Sequence, residues 1–114
     1  MVNKTWFDIC AEQDLTLDSG VCALFDDEQV AIFKCSGDED LFAISNFDPI
    51  GEANVLSRGI VGSIGEKRVV SSPLFKQHFC LKTGECLEES DMHLKTYDIR
   101  SHQGTIQLRH KAVG

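Results

Sequence analysis

The segment SSPLFKQHFCLKTGEC, residues 71–86, combines side chains that commonly bind metal ions or iron–sulfur clusters. His78 and Cys80 are two residues apart, so a strand would place both side chains on the same face. A structural zinc site needs four ligands, usually in two close pairs, and no second pair accompanies this one. Cys86 lies across a predicted turn. The spacing therefore favours packed thiols and a surface histidine over a metal site.

The sequence contains no familiar catalytic pattern. Ser71 and Ser72 precede a proline and are not part of a G-x-S-x-G elbow. There is neither a G-x-G-x-x-G nor a Walker A run, so no nucleotide site is predicted. Asp40 and Asp48 fall in predicted turns, where carboxylates are usually solvated or cap the backbone. We therefore predict no catalytic and no cofactor-binding residue.

The composition is that of an acidic globular protein. Eighteen acidic and eleven basic residues give a net charge of -7, and no Lys/Arg cluster offsets it. Such a surface repels the phosphates of nucleic acids. No apolar run has the length of a signal peptide core or a membrane helix. We expect one domain over residues 1–114, cytoplasmic, with neither nucleic acid nor membrane as partner.

The five cysteines are odd in number, scattered, and without a C-x-x-C pair. A secreted disulfide framework normally has an even number of cysteines. We predict that all five are reduced thiols, several of them buried as small apolar residues. They are Cys10, Cys22, Cys35, Cys80 and Cys86.

Short alternating runs separated by turn residues predict about nine strands and an all-β antiparallel sandwich or barrel. TWFDIC and LFAIS are single strands, and four hairpins are expected to turn at Asp26–Glu28, 65–66, 82–84 and 101–104. Val30 and Ile32 are expected to alternate with outward-facing residues. The stretch AEQDLTLDSG is predicted as a loop. Residues 46–59 lack alternation and predict a loop with one helical turn near 53–56.

The order AISNFDPIG, LSRGIVG and VVSSPLFKQHFCLKTGECLE resembles the Rieske [2Fe–2S] domain family. That family reads roughly A-x-x-N-x-C-P-H in a first loop and C-P-x-H-G in a second, and two Cys and two His hold its cluster. Asn46 and Pro49 match the first loop, and Pro73 matches the second. The resemblance implies a Rieske-like fold whose two cluster-type loops converge at one tip.

The resemblance also implies that this domain holds no cluster. Residues other than Cys and His occupy all four ligand positions: Asp48, Ile50, Ser72 and Phe75. Ile50 and Phe75 are apolar, and we expect them to meet and fill the space of the imidazoles and the cluster. Burial of two such side chains would contribute roughly a few kcal/mol.

Over nearly the whole chain, the sequence is similar to the small subunits of bacterial cytoplasmic NAD(P)H-dependent nitrite reductases. The similarity includes GVCALFDDEQVAIF, LSRGIVG, GECLE and LKTYDIR. It implies a non-catalytic, cluster-free accessory subunit of an enzyme that reduces nitrite to ammonium. It also implies a large-subunit partner that carries the FAD, the siroheme and the iron–sulfur centre.

Two alternatives remain open: a Rieske-type [2Fe–2S] ferredoxin-like electron carrier and a free-standing protein-binding module. For a partner surface, the sequence indicates the mixed apolar and basic groups of the two loops, because such groups are common in interface hot spots. The candidates are Leu56, Arg58, Leu74 and Lys76. In the competing interpretation, Leu56 packs beneath the loop and Arg58 is only solvated.

Overall fold

The computed structural model describes residues 5–37 and 40–111, and within these ranges the fold is all-β and antiparallel, as predicted. Eleven strands are described rather than about nine. Two short strands lie inside a segment predicted as loop, whereas the strand predicted after the turn at 82–84 is reduced to two isolated bridges, Phe79 with Cys86 and Glu85 with His93. Their bounds are β1 Phe7–Ala11, β2 Gly20–Phe25, β3 Glu28–Lys34, β4 Leu41–Ser45, β5 Phe47–Asp48, β6 Ala53–Asn54, β7 Ile60–Ile64, β8 Lys67–Ser71, β9 His78–Cys80, β10 Thr96–His102 and β11 Thr105–His110.

Six strands form a large sheet in the order β1-β11-β10-β4-β3-β2. Its edge strands, β1 and β2, approach each other, so the sheet is nearly closed. β1 pairs with β11, and Phe7 lies opposite Leu108. The hairpin from β2 to β3 turns through Asp26 and Asp27 alone, and both have positive φ, 53° and 62°. This is the pattern of a type I′ turn, so the predicted turn is one residue too long.

β3 is buried on both faces, which corrects the predicted alternation. Val30, Ala31, Ile32 and Phe33 are all fully buried. Val30 and Ile32 belong to the core enclosed by the large sheet, whereas Ala31 and Phe33 belong to a second core. The strand therefore separates the two cores and contributes side chains to both. The sequence of a strand that is covered on both sides is a continuous apolar run.

The second core lies between the large sheet and a three-stranded sheet in the order β7-β8-β9. Val61, Val70 and Phe79 pack into it from the small sheet. The predicted turn at 82–84 is present, and Gly84 is required there because it has φ +81° and an added Cβ would collide with the Leu94 carbonyl. The last hairpin turns only at Gln103 and Gly104, since β10 continues to His102.

Residues 46–59 contain more structure than the loop that was predicted. β5 pairs with β6, and a 3₁₀ helix spans Leu56–Arg58. The helical turn predicted near 53–56 is thus wrong by about one turn, because Ala53 and Asn54 are paired in β6. Another 3₁₀ helix, Glu12–Asp14, lies in the first predicted loop.

A cluster of rings, the aromatic cluster, covers one end of the large-sheet core. It consists of Phe7, Phe25, Tyr97 and His110. Phe25 lies at its centre, with centroid distances of 5.8 Å to Tyr97 and 4.9 Å to His110. Nearby, the guanidinium groups of Arg100 and Arg109 lie over the Trp6 ring, at 4.4 and 4.2 Å from its centroid.

The five cysteines occur as free thiols: Cys35, Cys80 and Cys86 are buried, Cys10 is half-buried and Cys22 is exposed. Among the described residues, no helix combines the length and apolar character needed to cross a bilayer.

Candidate functional site

The loop tip, defined as residues 46–59 and 72–77, contains all four positions that correspond to cluster ligands. In the first loop, Asp48 is fully buried. Its Oδ1 accepts hydrogen bonds from the backbone N–H groups of Ile50, at 2.8 Å, and Gly51, at 3.1 Å. Its own carbonyl accepts the N–H of Glu52 at 2.7 Å. The side chain therefore holds the turn in the way typical of an Asx turn.

Ser72 holds the second loop in a similar way. Its hydroxyl accepts the N–H of Leu74 at 3.3 Å, and its carbonyl accepts the N–H of Lys76 at 3.1 Å. The backbone N–H of Ser72 donates to the Gln77 carbonyl at 2.9 Å, so the loop closes on itself.

A direct hydrogen bond joins the two loops. The fully buried Ser72 hydroxyl donates to Oδ2 of Asp48 at 2.5 Å. The Asp48 carboxylate therefore accepts three hydrogen bonds, which is how proteins accommodate a buried acidic side chain. In the motif match predicted from the sequence, both residues stand at cysteine positions, and here they make a polar contact with each other.

The prediction that Ile50 and Phe75 meet and fill the cluster space is wrong. Ile50 is half-buried and packs against the second core, whereas 61% of Phe75 is exposed. Leu74, not Phe75, covers the first loop, because a Cβ on Gly51 would collide with the Leu74 side chain. The Asp48–Ser72 bond and Leu74 thus occupy the junction of the loops, and Phe75 remains on the surface.

The residues at the loop tip do not fit a Rieske cluster. Ile50 and Phe75 have no atom that can donate an electron pair to iron, and the cluster needs four ligands. Asp48 and Ser72 already satisfy each other by hydrogen bonding. Across residues 5–37 and 40–111, no group of three or more His, Cys, Asp or Glu side chains is placed to hold a metal ion.

In the segment of residues 71–86, His78 and Cys86 both contact the Glu88 side chain, whose Oε1 lies 3.9 Å from the Cys86 Sγ. Nδ1 of His78 lies 2.8 Å from Glu88 Oε2, and the His78 backbone N–H donates to the other oxygen. Cys80 is buried on β9. Cys86 is buried in the next segment, where it forms an isolated β-bridge with Phe79. The interpretation as packed thiols beside a surface histidine agrees with these positions.

Cys80 has a lowered pKa despite its burial. Burial raises the pKa of the Cys80 thiol, but hydrogen bonds from the Thr83 hydroxyl and from the backbone N–H groups of Thr83 and Lys82 outweigh it. The charge of Lys67 lowers the pKa further. The tight turn after β9 therefore stabilises the thiolate form enough to offset the effect of burial on the pKa of Cys80.

Of the four predicted partner-binding residues, three are at the surface. Arg58, Leu74 and Lys76 are exposed, but Leu56 is fully buried in the second core. The Leu56 side chain therefore packs the 3₁₀ helix against the second core. This agrees with the competing interpretation, in which Leu56 packs beneath the loop. Its burial could not be read from the sequence, because residues 46–59 have no apolar period.

The sequence assigned no role to the Asn46 side chain, although it organises the first loop. Asn46 is buried, and its Oδ1 accepts the N–H of Ser57 at 2.7 Å. Its Nδ2 donates to Gln29 Oε1 at 3.1 Å, and its carbonyl accepts the N–H of Leu56 at 3.1 Å. One asparagine thus connects β3, the first loop and the 3₁₀ helix. The family motif indicated the position but not this role.

The exposure of two phenylalanines at the loop tip was not predicted from the sequence. In the first loop, Phe47 is 42% exposed. In the second loop, Phe75 is 61% exposed and follows the exposed Leu74. An apolar centre beside basic groups is a common composition for an interface.

Comparison with known proteins gives a consistent picture. The Rieske-like [2Fe-2S] domain family matches residues 5–109. The chain is 46% identical over 104 residues to the Nitrite reductase (NADH) small subunit of Escherichia coli strain K12. The aligned region covers 91% of this chain and 96% of that one. The NMR structure of the E. coli protein NirD superposes with a TM-score of 0.86 at 44% identity, over 95% of this chain and 98% of that one.

A third relative has a different architecture. A protein from Klebsiella oxytoca called Nitrite reductase [NAD(P)H] large subunit is 31% identical over 104 residues. The aligned part is 91% of this chain but only 11% of that longer chain. A domain of this kind is therefore covalently part of a large subunit in that protein.

Proposed function

Because this chain belongs to the family of Rieske-like [2Fe–2S] domains, and within it to the nitrite reductase small subunits, we propose that it is the small subunit of an NAD(P)H-dependent nitrite reductase. In this role it is part of an oxidoreductase that reduces nitrite to ammonium. The observation that carries the proposal is the similarity to a small subunit over nearly the full length of both chains.

The partner is the nitrite reductase large subunit. The Klebsiella relative supports this partnership, because there a similar domain and a large subunit form one polypeptide. Two domains joined in one chain meet at high effective concentration. Two separate chains lack this linkage, so their interface must bind tightly enough to keep them together. We assign the FAD, the siroheme and the iron–sulfur centre of the reaction to the large subunit.

The small subunit contributes binding and not chemistry. Asp48 and Ser72 are engaged in the bond between the loops, and Ile50 and Phe75 cannot ligate iron. These four positions count against the electron-carrier alternative. Residues 1–114 act as one cytoplasmic Rieske-like domain in this proposal, and residues 5–109 match the family.

The loop tip is the proposed docking surface for the large subunit. Arg58, Leu74 and Lys76 are exposed there, and Phe75 adds the largest exposed apolar side chain of the second loop. Arg58 and Lys76 are basic in a chain of net charge -7, so they provide local attraction for an acidic rim on the partner. Leu56 supports this surface without contacting the partner.

Co-expression with the tagged large subunit of the same enzyme tests the partnership. The small subunit should co-purify in fixed stoichiometry with the flavin- and siroheme-containing chain. A free-standing binding module would remain in the flow-through. The separately purified small chain should contain no iron; anaerobic material with Rieske-type visible bands would instead support the electron carrier.

Charge-removal variants test the docking surface. Lys76→Ala and Arg58→Ala should each weaken binding to the large subunit, by about fivefold for a rim charge. The control is Lys111→Ala, which removes another exposed lysine, outside the loop tip. Circular dichroism of every variant should match the parent. Unchanged binding by the Arg58→Ala, Lys76→Ala double variant would place the docking surface elsewhere.

A further inference from the structure

β7 is an edge strand with no neighbour on one side. It pairs with β8 from Ile60 opposite Ser71 to Ile64 opposite Lys67. In the described ranges, no strand pairs with its other edge. The backbone N–H and C=O groups along that edge therefore form an open template for another strand.

The strand lacks the devices that normally block such pairing. Its sequence IVGSI contains no charged residue and no proline, and its register with β8 shows no bulge. Ile60 is 72% exposed and Ile64 is 44% exposed. Between them, Gly62 is open, since a Cβ there would meet no atom within 4 Å. Two isoleucines thus flank a notch on one face of the edge.

The strand is self-complementary about Gly62. If a second copy pairs antiparallel with a two-fold axis at Gly62, Ile60 of each copy lies opposite Ile64 of the other. Val61 then lies opposite Ser63. Each isoleucine gains a cross-strand apolar neighbour, which stabilises antiparallel pairs. Such an interface is isologous, the common type in homodimers.

Charged side chains at the two ends fit the same axis. Arg58 lies four residues before Gly62 and Glu66 lies four residues after it. Arg58 lies in the 3₁₀ helix before β7 and Glu66 lies in the hairpin turn after it, so antiparallel pairing brings the basic end of each strand towards the acidic end of the other. Both side chains are exposed, and neither has a hydrogen bond or ion pair within the described part of the chain.

From this pattern we propose that two copies of the chain associate through antiparallel pairing of their β7 strands. The two three-stranded sheets then form one continuous six-stranded sheet across the two-fold axis. The ladder hydrogen bonds supply the pairing, the isoleucines exclude water from one face, and the opposite charges of Arg58 and Glu66 at the two ends favour the antiparallel direction.

Two other arrangements compete with this one. A strand of the large subunit could occupy the same edge, or the small subunit could have no edge partner. Arg58 also belongs to the proposed docking surface, but Glu66 does not. Glu66 therefore distinguishes self-pairing from docking of the large subunit at the loop tip.

The test uses the full chain alone, in sedimentation velocity over a concentration series. The parent should show a reversible monomer–dimer equilibrium. Arg58→Glu creates two Glu–Glu pairs and Glu66→Arg creates two Arg–Arg pairs, so each should raise the dimer dissociation constant about tenfold. The double variant restores opposite charges and should return the constant to within about threefold of the parent. Lys111→Glu, a charge reversal at another exposed position, should leave it unchanged.

Ile60→Lys is a second probe that does not rely on the charge pairs. Ile60 is largely exposed, so this change should leave the fold intact while placing a lysine in the apolar contact. It should abolish the dimer at concentrations where the parent is dimeric.

Three outcomes would overturn the proposal. They are a monomeric parent at every concentration, a dimer insensitive to Ile60→Lys, and a double variant that dimerises no better than the single reversals. Since the large subunit is absent from these measurements, their failure leaves the proposed role in nitrite reductase unaffected. Failure of co-purification would likewise leave the self-pairing proposal intact.

Discussion

The loop tip and the aromatic cluster are stabilised by different interactions. At the loop tip, buried side chains of Asp48, Ser72 and Asn46 bind backbone groups and one another. In the aromatic cluster, Phe25 is surrounded by rings, and the strands that carry them form ladders. The loop tip has only the two-residue ladder of β5 and β6, so polar side chains must satisfy many of its buried backbone groups, whereas the side chains of long strands can be apolar.

Phe25→Ala should have the largest effect, because it removes a nearly buried ring from the centre of the aromatic cluster. We expect a loss of about 4 kcal/mol in the free energy of unfolding, as for other buried Phe→Ala changes. Urea denaturation followed by fluorescence of the single tryptophan measures it. A loss below about 1 kcal/mol would mean that the cluster is not part of the cooperative core.

Asp48→Ala should cost slightly less, about 3 kcal/mol in the free energy of unfolding. The change leaves the Ser72 hydroxyl and the N–H groups of Ile50 and Gly51 without their acceptor. Asp91→Ala, at an exposed turn position, is the control and should change stability by less than about 0.5 kcal/mol. If both variants unfold at the same urea concentration as the parent, the polar contacts do not hold the loop tip together.

The pH dependence of stability should separate the two regions further. Burial raises the pKa of Tyr97, as does the hydrogen bond that its hydroxyl donates to Glu28 at 2.9 Å. Above pH of about 10 the unfolded chain releases this proton while the folded chain keeps it. Stability should therefore be complete below that pH and fall at higher pH, by up to about 1.4 kcal/mol per pH unit.

Tyr97→Phe should abolish this part of the loss of unfolding free energy at alkaline pH. Urea denaturation at pH of about 9, 10 and 11, values that bracket the ordinary tyrosine pKa, measures it. Tyr97 is the only tyrosine of the chain, so ultraviolet absorbance of tyrosinate reports its ionisation directly. Ionisation in the folded protein with an ordinary tyrosine midpoint would contradict the prediction.

Phe75→Ala should have the smallest effect on stability, less than about 0.5 kcal/mol, because 61% of the side chain is already in water. Its contrast with Phe25→Ala tests whether the two phenylalanines serve folding and binding separately. In the docking proposal, the same change should weaken binding to the large subunit about tenfold, measured by calorimetric titration. Large destabilisation with normal binding would reverse the assignment.

The sequence predicted the strands better than the loop tip. Turn residues such as Gly65 and Gly84 act locally, so the turns were located within one or two residues, although the strand predicted after Gly84 is not formed. The family motif located the positions of Asp48 and Ser72. It could not indicate the bond between them, because no local pattern connects residues 24 positions apart. Burial of Leu56 and exposure of Phe75 likewise depend on tertiary packing alone.

The pairing of β1 with β11 has a consequence for how the protein is made. Phe7 leaves the ribosome long before Leu108, its opposite residue, has been synthesised. The large sheet therefore remains incomplete until β11 has emerged, while the hairpin of β2 and β3 can form early from local contacts. During that interval, the apolar side chains of β3 that pack in the large-sheet core remain partly exposed to solvent. We expect nascent chains stalled before β11 to bind chaperones, and full-length chains to be released from them.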